Sequence, residues 1–364
     1  MLDETSPIEA EGRAAAAVAA ATQAKLTYVS DSEPGIRRKA AGARFSYFYP
    51  DGGKVTDRSM LQRIQEIVIP PAWTDVWICP DADGHIQATG RDQRGRKQYR
   101  YHPRWLECRD EAKYSSLAAF ARALPAMRAA VEADLRKRSL SWERVVASII
   151  WLLDNTMIRV GNAQYARDNE SFGLTTLRGR HVEVEGAKLR FRFKGKSGKQ
   201  WQLKLVDRRM AKIIRSIQDL PGQQLFQYVD EAGEPRLVRS QDVNEYIRDA
   251  SGGDFSSKDF RTWGGTVRAA AIFAQTPLPE TKTGVSRVLN AAIDQVAHQL
   301  GNTRSVCRSC YIHPGIIDSW QNGELPDELA ALARSRRKTP PGLDEEEALV
   351  LFWLELRESV NAAG

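Results

Sequence analysis

The chain has 364 residues, 42% hydrophobic and 27% charged, with a formal net charge of +7, which is enough for two domains with cores of their own. No apolar run is long enough to span a bilayer, and the stretch from Ala14 to Ala21 follows acids rather than a basic leader, so membrane and secreted classes are set aside. Of the four cysteines, Cys307 and Cys310 have CxxC spacing but no second pair or histidine cluster, which argues against a zinc framework.

Residues 1–38 are Ala-rich and charged, with Pro34-Gly35 near their end, and are expected to form a mobile or partly helical extension. From Arg44 to Tyr101 short β-type runs alternate with turns: Phe45 to Tyr49, then Asp51-Gly52-Gly53, Val76 to Cys79, Asp83-Gly84, and His85 to Thr89. One helix is predicted near Arg58 to Glu66. The expected product is a small, mostly antiparallel β domain over residues 39–107.

Beyond Trp105 the texture is helical, and residues 108–330 are expected to form a mainly α domain. Val145, Val146, Ile149, Ile150, Leu152, Leu153 and Met157 recur at helical spacing, predicting a helix that begins near Ser141. Residues 181–206 interrupt it. Three stretches alternating with period two around Gly186 and Gly195 predict a small three-stranded sheet inside the helical domain. Helical texture resumes to the C-terminus, with 331–364 expected as a helical tail. The fold class is α+β.

The positive charge is unevenly placed. Arg91 to Arg104 holds six Lys/Arg against Asp92, and Lys188 to Lys212 holds ten against Asp207, with Tyr99, Tyr101, Phe191, Phe193 and Trp201 interleaved. Such blocks are solvated faces or tracks for a phosphate backbone, and the interleaved aromatics favour the second. Within the first block, the glycine-centred turn of GRDQRGRKQYRYH (Gly90 to His102) precedes Tyr99 and Tyr101, which share one face of a strand. The alternative there is a basic hairpin edge protected against aggregation.

Four further motifs carry chemistry. Arg159, in Ile158-Arg159-Val160-Gly161-Asn162, is either a cation at a helix C-terminus or a clamp on a phosphoryl oxygen. Lys196 sits in Lys194-Gly195-Lys196-Ser197-Gly198-Lys199 at a hairpin tip, solvated or reaching into a groove to protonate a leaving oxygen. The first glycine of an ATP-binding loop would fall at position 190, which is Arg190. Arg261, in KDFRTWGGT, precedes a predicted helix with paired glycines and could instead pair with Asp259. Gly301-Asn302-Thr303 then leads to Tyr311, with His298 upstream read as a helix-surface histidine. A phenol is a poor nucleophile at neutral pH unless cations stabilise its developing charge. One tyrosine with several cations suggests phosphoryl transfer from DNA to protein.

The ordered set of Arg159 in IRVGN, Lys196 in FKGK, Arg261 in KDFRTWGGT, and Tyr311 nine residues after Asn302 resembles the catalytic set of type IB DNA topoisomerases. It is most similar to the compact poxvirus-like enzymes of bacteria, over roughly residues 40–325. The resemblance implies a tyrosine-recombinase-like catalytic domain, Tyr311 as nucleophile, and Arg159 and Arg261 stabilising the transition state. It further implies Lys196 as general acid, and Asn302 in the place of the family's usual histidine as a donor to a non-bridging oxygen. Arg96, Lys97, Tyr99, Tyr101, Asn162, Tyr165 and Lys258 fall where relatives touch DNA. Also implied are a cytoplasmic, nucleoid-associated monomer that clamps duplex DNA in a C shape, with no metal, ATP or other cofactor. It would relax supercoils through a 3′-phosphotyrosyl intermediate, strand rotation and religation. A tyrosine recombinase or integrase shares this chemistry and is the alternative. Against it stand the setting of the second arginine and the strand-rich N-terminal domain.

Overall fold

The computed structural model describes residues 18–42, 44–335 and 337–363. Contacts divide these into two compact units, one up to Ser115 and one from Ser116 onward.

In the first unit, β1 (Ile36–Ala41), β2 (Arg44–Phe48), β3 (Thr74–Ile78), β4 (Ile86–Arg91) and β5 (Lys97–Tyr101) form an antiparallel sheet in the order β2-β1-β3-β4-β5. On β3, Val76 and Ile78 face one side and Trp77 the other, and all three are buried, so both faces of the sheet are covered. Helix α1 (Arg58–Glu66) covers one face: Ile64 packs with Val76, Ile78 and Ala88, and Asp57 caps the helix by accepting from the Ser59 and Met60 amides. The other face is covered by the segment before β1. Val29 packs on Trp77 and Cys79, Thr27 bridges Gly84, and Trp77 Nε1 donates to the Glu33 carbonyl at 2.9 Å. Of the expected 1–38 extension, residues 1–17 lie outside the described residues, while the described part closes this second layer. Its apolar anchors, Ala21, Leu26 and Val29, are too widely spaced to stand out against the alanines around them. Helix α2 (Pro103–Ser115) completes the unit.

The second unit is helical around one core. Helices α3 (Leu117–Leu135) and α4 (Trp142–Thr156) pack on each other, α4 starting after Ser141 and burying Val145, Val146, Ile149, Ile150, Leu152 and Leu153. After α5 (Ala163–Asn169) comes the interrupting sheet of β6 (Val182–Glu185), β7 (Lys188–Lys194) and β8 (Gln200–Val206), with Leu189, Phe191 and Phe193 turned into the core. Helix α6 (Arg208–Gln218) follows. The continuous helical texture expected beyond the sheet is broken by a short hairpin, β9 (Gln227–Val229) with β10 (Pro235–Leu237), turning at Asp230 to Gly233. Three-residue strands are too short to show a period.

The remaining helices are α7 (Ser240–Ser251), α8 (Ser257–Ala274), α9 (Lys282–Gln299), α10 (Arg304–Cys310), α11 (Pro314–Gln321), α12 (Leu325–Arg334) and α13 (Glu345–Ala363). The last lies in the stretch expected as a tail, and it packs into the main core through Val350, Leu351 and Trp353. Glu347 of α13 accepts from Trp263 Nε1 of α8 at 3.0 Å and pairs with Arg128, which also holds Asp154 of α4. Four helices thereby share one buried ionic cluster.

Candidate active site

Three separated segments converge at the start of α8. Helix α4 ends where Met157 takes a left-handed conformation, φ 56°. The segment that follows is held from a tight turn at Leu174–Thr176, whose Leu174 and Thr175 amides donate to the Arg159 and Val160 carbonyls at 2.8 and 2.7 Å. Gly173 makes the approach possible, since a Cβ there would lie 2.5 Å from the Arg159 carbonyl oxygen. Arg159 therefore stands beyond the helix cap, free of the helix-terminus role. Its guanidinium donates to the Gly301 carbonyl at 3.4 Å and to Asn302 Oδ1.

Arg261 lies inside helix α8, where the sequence reading placed it ahead of the helix. The helix starts earlier because Ser256 and Asp259 form a capping box, the Ser256 amide donating to Asp259 Oδ2 at 2.8 Å. Asp259 is thus spent on the cap rather than on Arg261. Arg261 is 3% exposed and donates to the Met157 and Leu300 carbonyls, the latter at 2.9 Å. Burial, with the nearby charge of Arg159, pulls its pKa down to about 10, so it is protonated at neutral pH.

Tyr311 closes α10, its amide donating to the Cys307 carbonyl at 3.0 Å. The Arg261 guanidinium sits 4.9 Å above the Tyr311 ring centroid. Burial pushes the phenol pKa up, but the charge and hydrogen bond of Arg261, joined by the charge of Arg159, outweigh it and hold the phenol below its ordinary 10.0. That is the electrostatic condition for a tyrosine nucleophile.

The paired glycines of KDFRTWGGT explain why these segments can meet. Added side chains would overlap the Met157 thioether at Gly264 and the Tyr311 carbonyl oxygen at Gly265. One turn of α8 thus anchors Met157, whose carbonyl holds Arg261, and the backbone of Tyr311. Thr266 extends the seam by accepting from the His313 amide at 3.1 Å. Two adjacent glycines in a buried helix cost roughly 1 kcal/mol each relative to alanine. That cost was the available signal for a close approach. Gly265→Ala is expected to displace the Tyr311 backbone and, with Tyr311 as the nucleophile that the resemblance implies, to slow DNA cleavage at least tenfold while DNA affinity changes little. Single-turnover cleavage alongside filter binding checks this, and a wild-type cleavage rate would refute it.

Asn302 is 5% exposed. Its backbone amide donates to the Ala297 carbonyl at 2.8 Å, its Oδ1 accepts from Arg159, and its backbone carbonyl accepts from Lys199 Nζ. Arg159 thereby fixes which end of the side chain is oxygen and leaves Nδ2 as a buried donor with no partner among the described residues. Lys196 is exposed at the β7–β8 tip, in a turn where Ser197 has φ 61°. The hairpin contact with Asn302 comes instead from Lys199, the last residue of the same motif, to which the sequence reading gave no role.

The other predicted residues are dispersed. Tyr99 and Tyr101 stack on one face of β5, ring centroids 5.7 Å apart, with Tyr99 41% exposed. Arg96 pairs with Asp92 at 2.7 Å and Lys97 with Asp31 at 2.6 Å. Asp31 comes from the segment before β1, so counting acids within the basic run overstates its free charge. In the second unit, Asn162 caps α5 by accepting from the Tyr165 amide at 2.9 Å, Tyr165 is half-buried, and Lys258 is exposed in the first turn of α8. Cys307 is buried and Cys310 exposed on α10, and neither is in a disulfide.

A family model described as the eukaryotic DNA topoisomerase I catalytic core matches residues 102–325, which include Arg159, Lys196, Arg261, Asn302 and Tyr311. A second, the bacterial DNA topoisomerase IB N-terminal domain, matches residues 44–92. The DNA topoisomerase 1B of Acanthamoeba polyphaga mimivirus is 31% identical over 295 residues, covering 79% of this chain and 88% of the viral protein. The DNA topoisomerase 1B of Vaccinia virus (strain Copenhagen) is 24% identical over 307 residues, covering 78% and 92%. Matches that run through both the strand-rich N-terminal unit and the helical unit disfavour the recombinase alternative, and the chain belongs to the type IB DNA topoisomerases in their poxvirus-like form.

Proposed function

We propose that this topoisomerase, an isomerase of DNA, works through Tyr311. Tyr311 Oη attacks a backbone phosphate and gives up its proton to solvent water as the O–P bond forms. The P–O5′ bond breaks, and Lys196 delivers a proton to the departing 5′ oxygen. The free strand rotates, supercoils dissipate, and the 5′ hydroxyl reverses the reaction. The phosphotyrosine keeps the bond energy, so neither ATP nor a metal ion takes part. The observation that carries the assignment is the seat of Arg261 over the Tyr311 ring, with Arg159 and the unpartnered Asn302 amide on the same side chains and turn. Two guanidinium groups and an amide suit the two non-bridging oxygens that carry the charge of a pentavalent diester phosphorus.

The chain acts as a cytoplasmic, nucleoid-associated monomer whose two units clamp the duplex. Tyr99, Tyr101, Arg96 and Lys97 meet DNA from the first unit, and Asn162, Tyr165 and Lys258 from the second. Supporting this are the exposed Tyr99, stacked on Tyr101, and the exposed Lys258. The purified protein is expected to relax supercoiled plasmid in EDTA without ATP, and a requirement for magnesium would overturn the mechanism. Asn302→Ala should slow cleavage by about 10²-fold, the loss typical of one oxyanion donor, while Asn302→His should retain activity because imidazole can also donate. Unchanged cleavage by Asn302→Ala would remove the amide from the transition state.

A further inference from the structure

The Lys196 hairpin meets the Asn302 turn through one indole. A Cβ added at Gly195 would lie 2.7 Å from Trp201 Cδ1 and Nε1, and one added at Gly301 would lie 2.6 Å from Trp201 Cζ2. The pyrrole edge of Trp201 therefore rests on the residue before Lys196, and its benzo edge on the residue before Asn302. Phe193, paired with Trp201 across β7 and β8, stacks on it with centroids 5.9 Å apart and planes 5° apart, which sets the tilt of the indole. Both glycines leave space that the ring occupies, and Gly301 also needs its left-handed φ of 59°.

The turn has supports of its own. The Gly301 amide donates to His298, the Asn302 amide to Ala297, Arg261 to Leu300, and Arg159 to Gly301 and Asn302. The hairpin tip is held on this side by Trp201 and by Lys199. Removing the indole therefore loosens the tip far more than the turn.

We propose that Trp201 is a positioning residue that sets the Lys196 ammonium relative to the phosphate gripped by Arg159, Arg261 and Asn302. The proposal deepens the reading of Lys196 as general acid and rests on it. An ammonium on an exposed, four-carbon stem transfers a proton efficiently only from a fixed base, and a misplacement of about 1 Å can cost about 10²-fold in rate.

The test is single-turnover cleavage of paired DNA substrates whose scissile 5′-bridging atom is oxygen or sulfur. A thiolate leaves without a proton, so the sulfur substrate bypasses the general acid. Trp201→Ala is expected to cleave the oxygen substrate about 10²-fold slower than wild type and the sulfur substrate nearly as fast, in parallel with Lys196→Ala. Trp201→Phe, which keeps a flat ring between the glycines, should recover most of the loss. Equal losses on both substrates, or none, would overturn the proposal. Sulfur rescue of Lys196→Ala but not of Trp201→Ala sinks the positioning role alone, whereas no rescue of Lys196→Ala sinks the general-acid reading and the proposal with it. Should thermal melts show Trp201→Ala unfolded, Gly195→Ala displaces the indole from a backbone that tolerates alanine, φ −92° and ψ −171°, and must show the same sulfur-rescued loss.

Discussion

Tyr311→Phe is expected to abolish supercoil relaxation and covalent trapping on DNA together, while binding to duplex DNA stays at the wild-type level. The substitution deletes one oxygen and keeps the ring. The ring makes the stack with Arg261, 4.9 Å to its centroid, and the packing against the main core. The fold has no reason to change, and Arg261, though it loses its hydrogen bond to the phenol, keeps the Met157 and Leu300 carbonyls. Phosphoryl transfer is lost altogether, because the oxygen that attacks phosphorus is gone. Plasmid relaxation, denaturant-trapped adducts and filter binding on one preparation measure the three quantities. Residual relaxation above a mock preparation would mean that the nucleophile has been misassigned.

Arg261→Ala is expected to slow cleavage by ~10²–10³, or roughly 3–4 kcal/mol, the loss measured when one donor to a developing oxyanion is removed. A pH signature should accompany it. Arg261 is the main group holding the phenol below 10.0, and burial acts in the opposite direction. With the guanidinium gone, burial prevails and the phenol titrates higher, so the limb of the cleavage rate that rises with pH moves to higher pH. Arg261→Lys should not restore the rate. Lysine lacks the planar fork that serves the Met157 and Leu300 carbonyls together while lying flat on the ring. Because Arg261→Ala also strands two buried carbonyls, thermal melts should accompany the rates, with assays run well below the transition. A folded Arg261→Ala protein that cleaves at the wild-type rate with an unmoved pH limb would refute the role.

The parts of the fold that were legible in advance are those written in short-range pattern. The helix from Arg58 to Glu66, the start of α4 after Ser141, and the alternation around Gly186 and Gly195 all agree with the structure. Each depends on contacts within a few residues or across a tight turn. What escaped was sparse or long-range. The segment before β1 covers a sheet face through a few apolar residues among many alanines. The β9–β10 strands are too short to show a period, and α13 reaches α8 and α3 through an ionic cluster whose members lie far apart in the chain. Arg261 lies inside its helix rather than ahead of it because the Ser256–Asp259 capping box sets the start.

Residue type and order determined the family: a tyrosine, two arginines, a lysine and an amide, each in its own motif, suffice to identify it. Position was decided only by the tertiary structure. Whether Arg261 lies over Tyr311, whether Arg159 reaches Asn302, and whether Lys199 or Lys196 touches the turn depend on segments up to about 150 residues apart in the chain. These meet because Gly173, Gly264, Gly265 and Gly301 leave room for their neighbours. A glycine in sequence reports only the absence of a side chain. What fills the space is a property of the packed core.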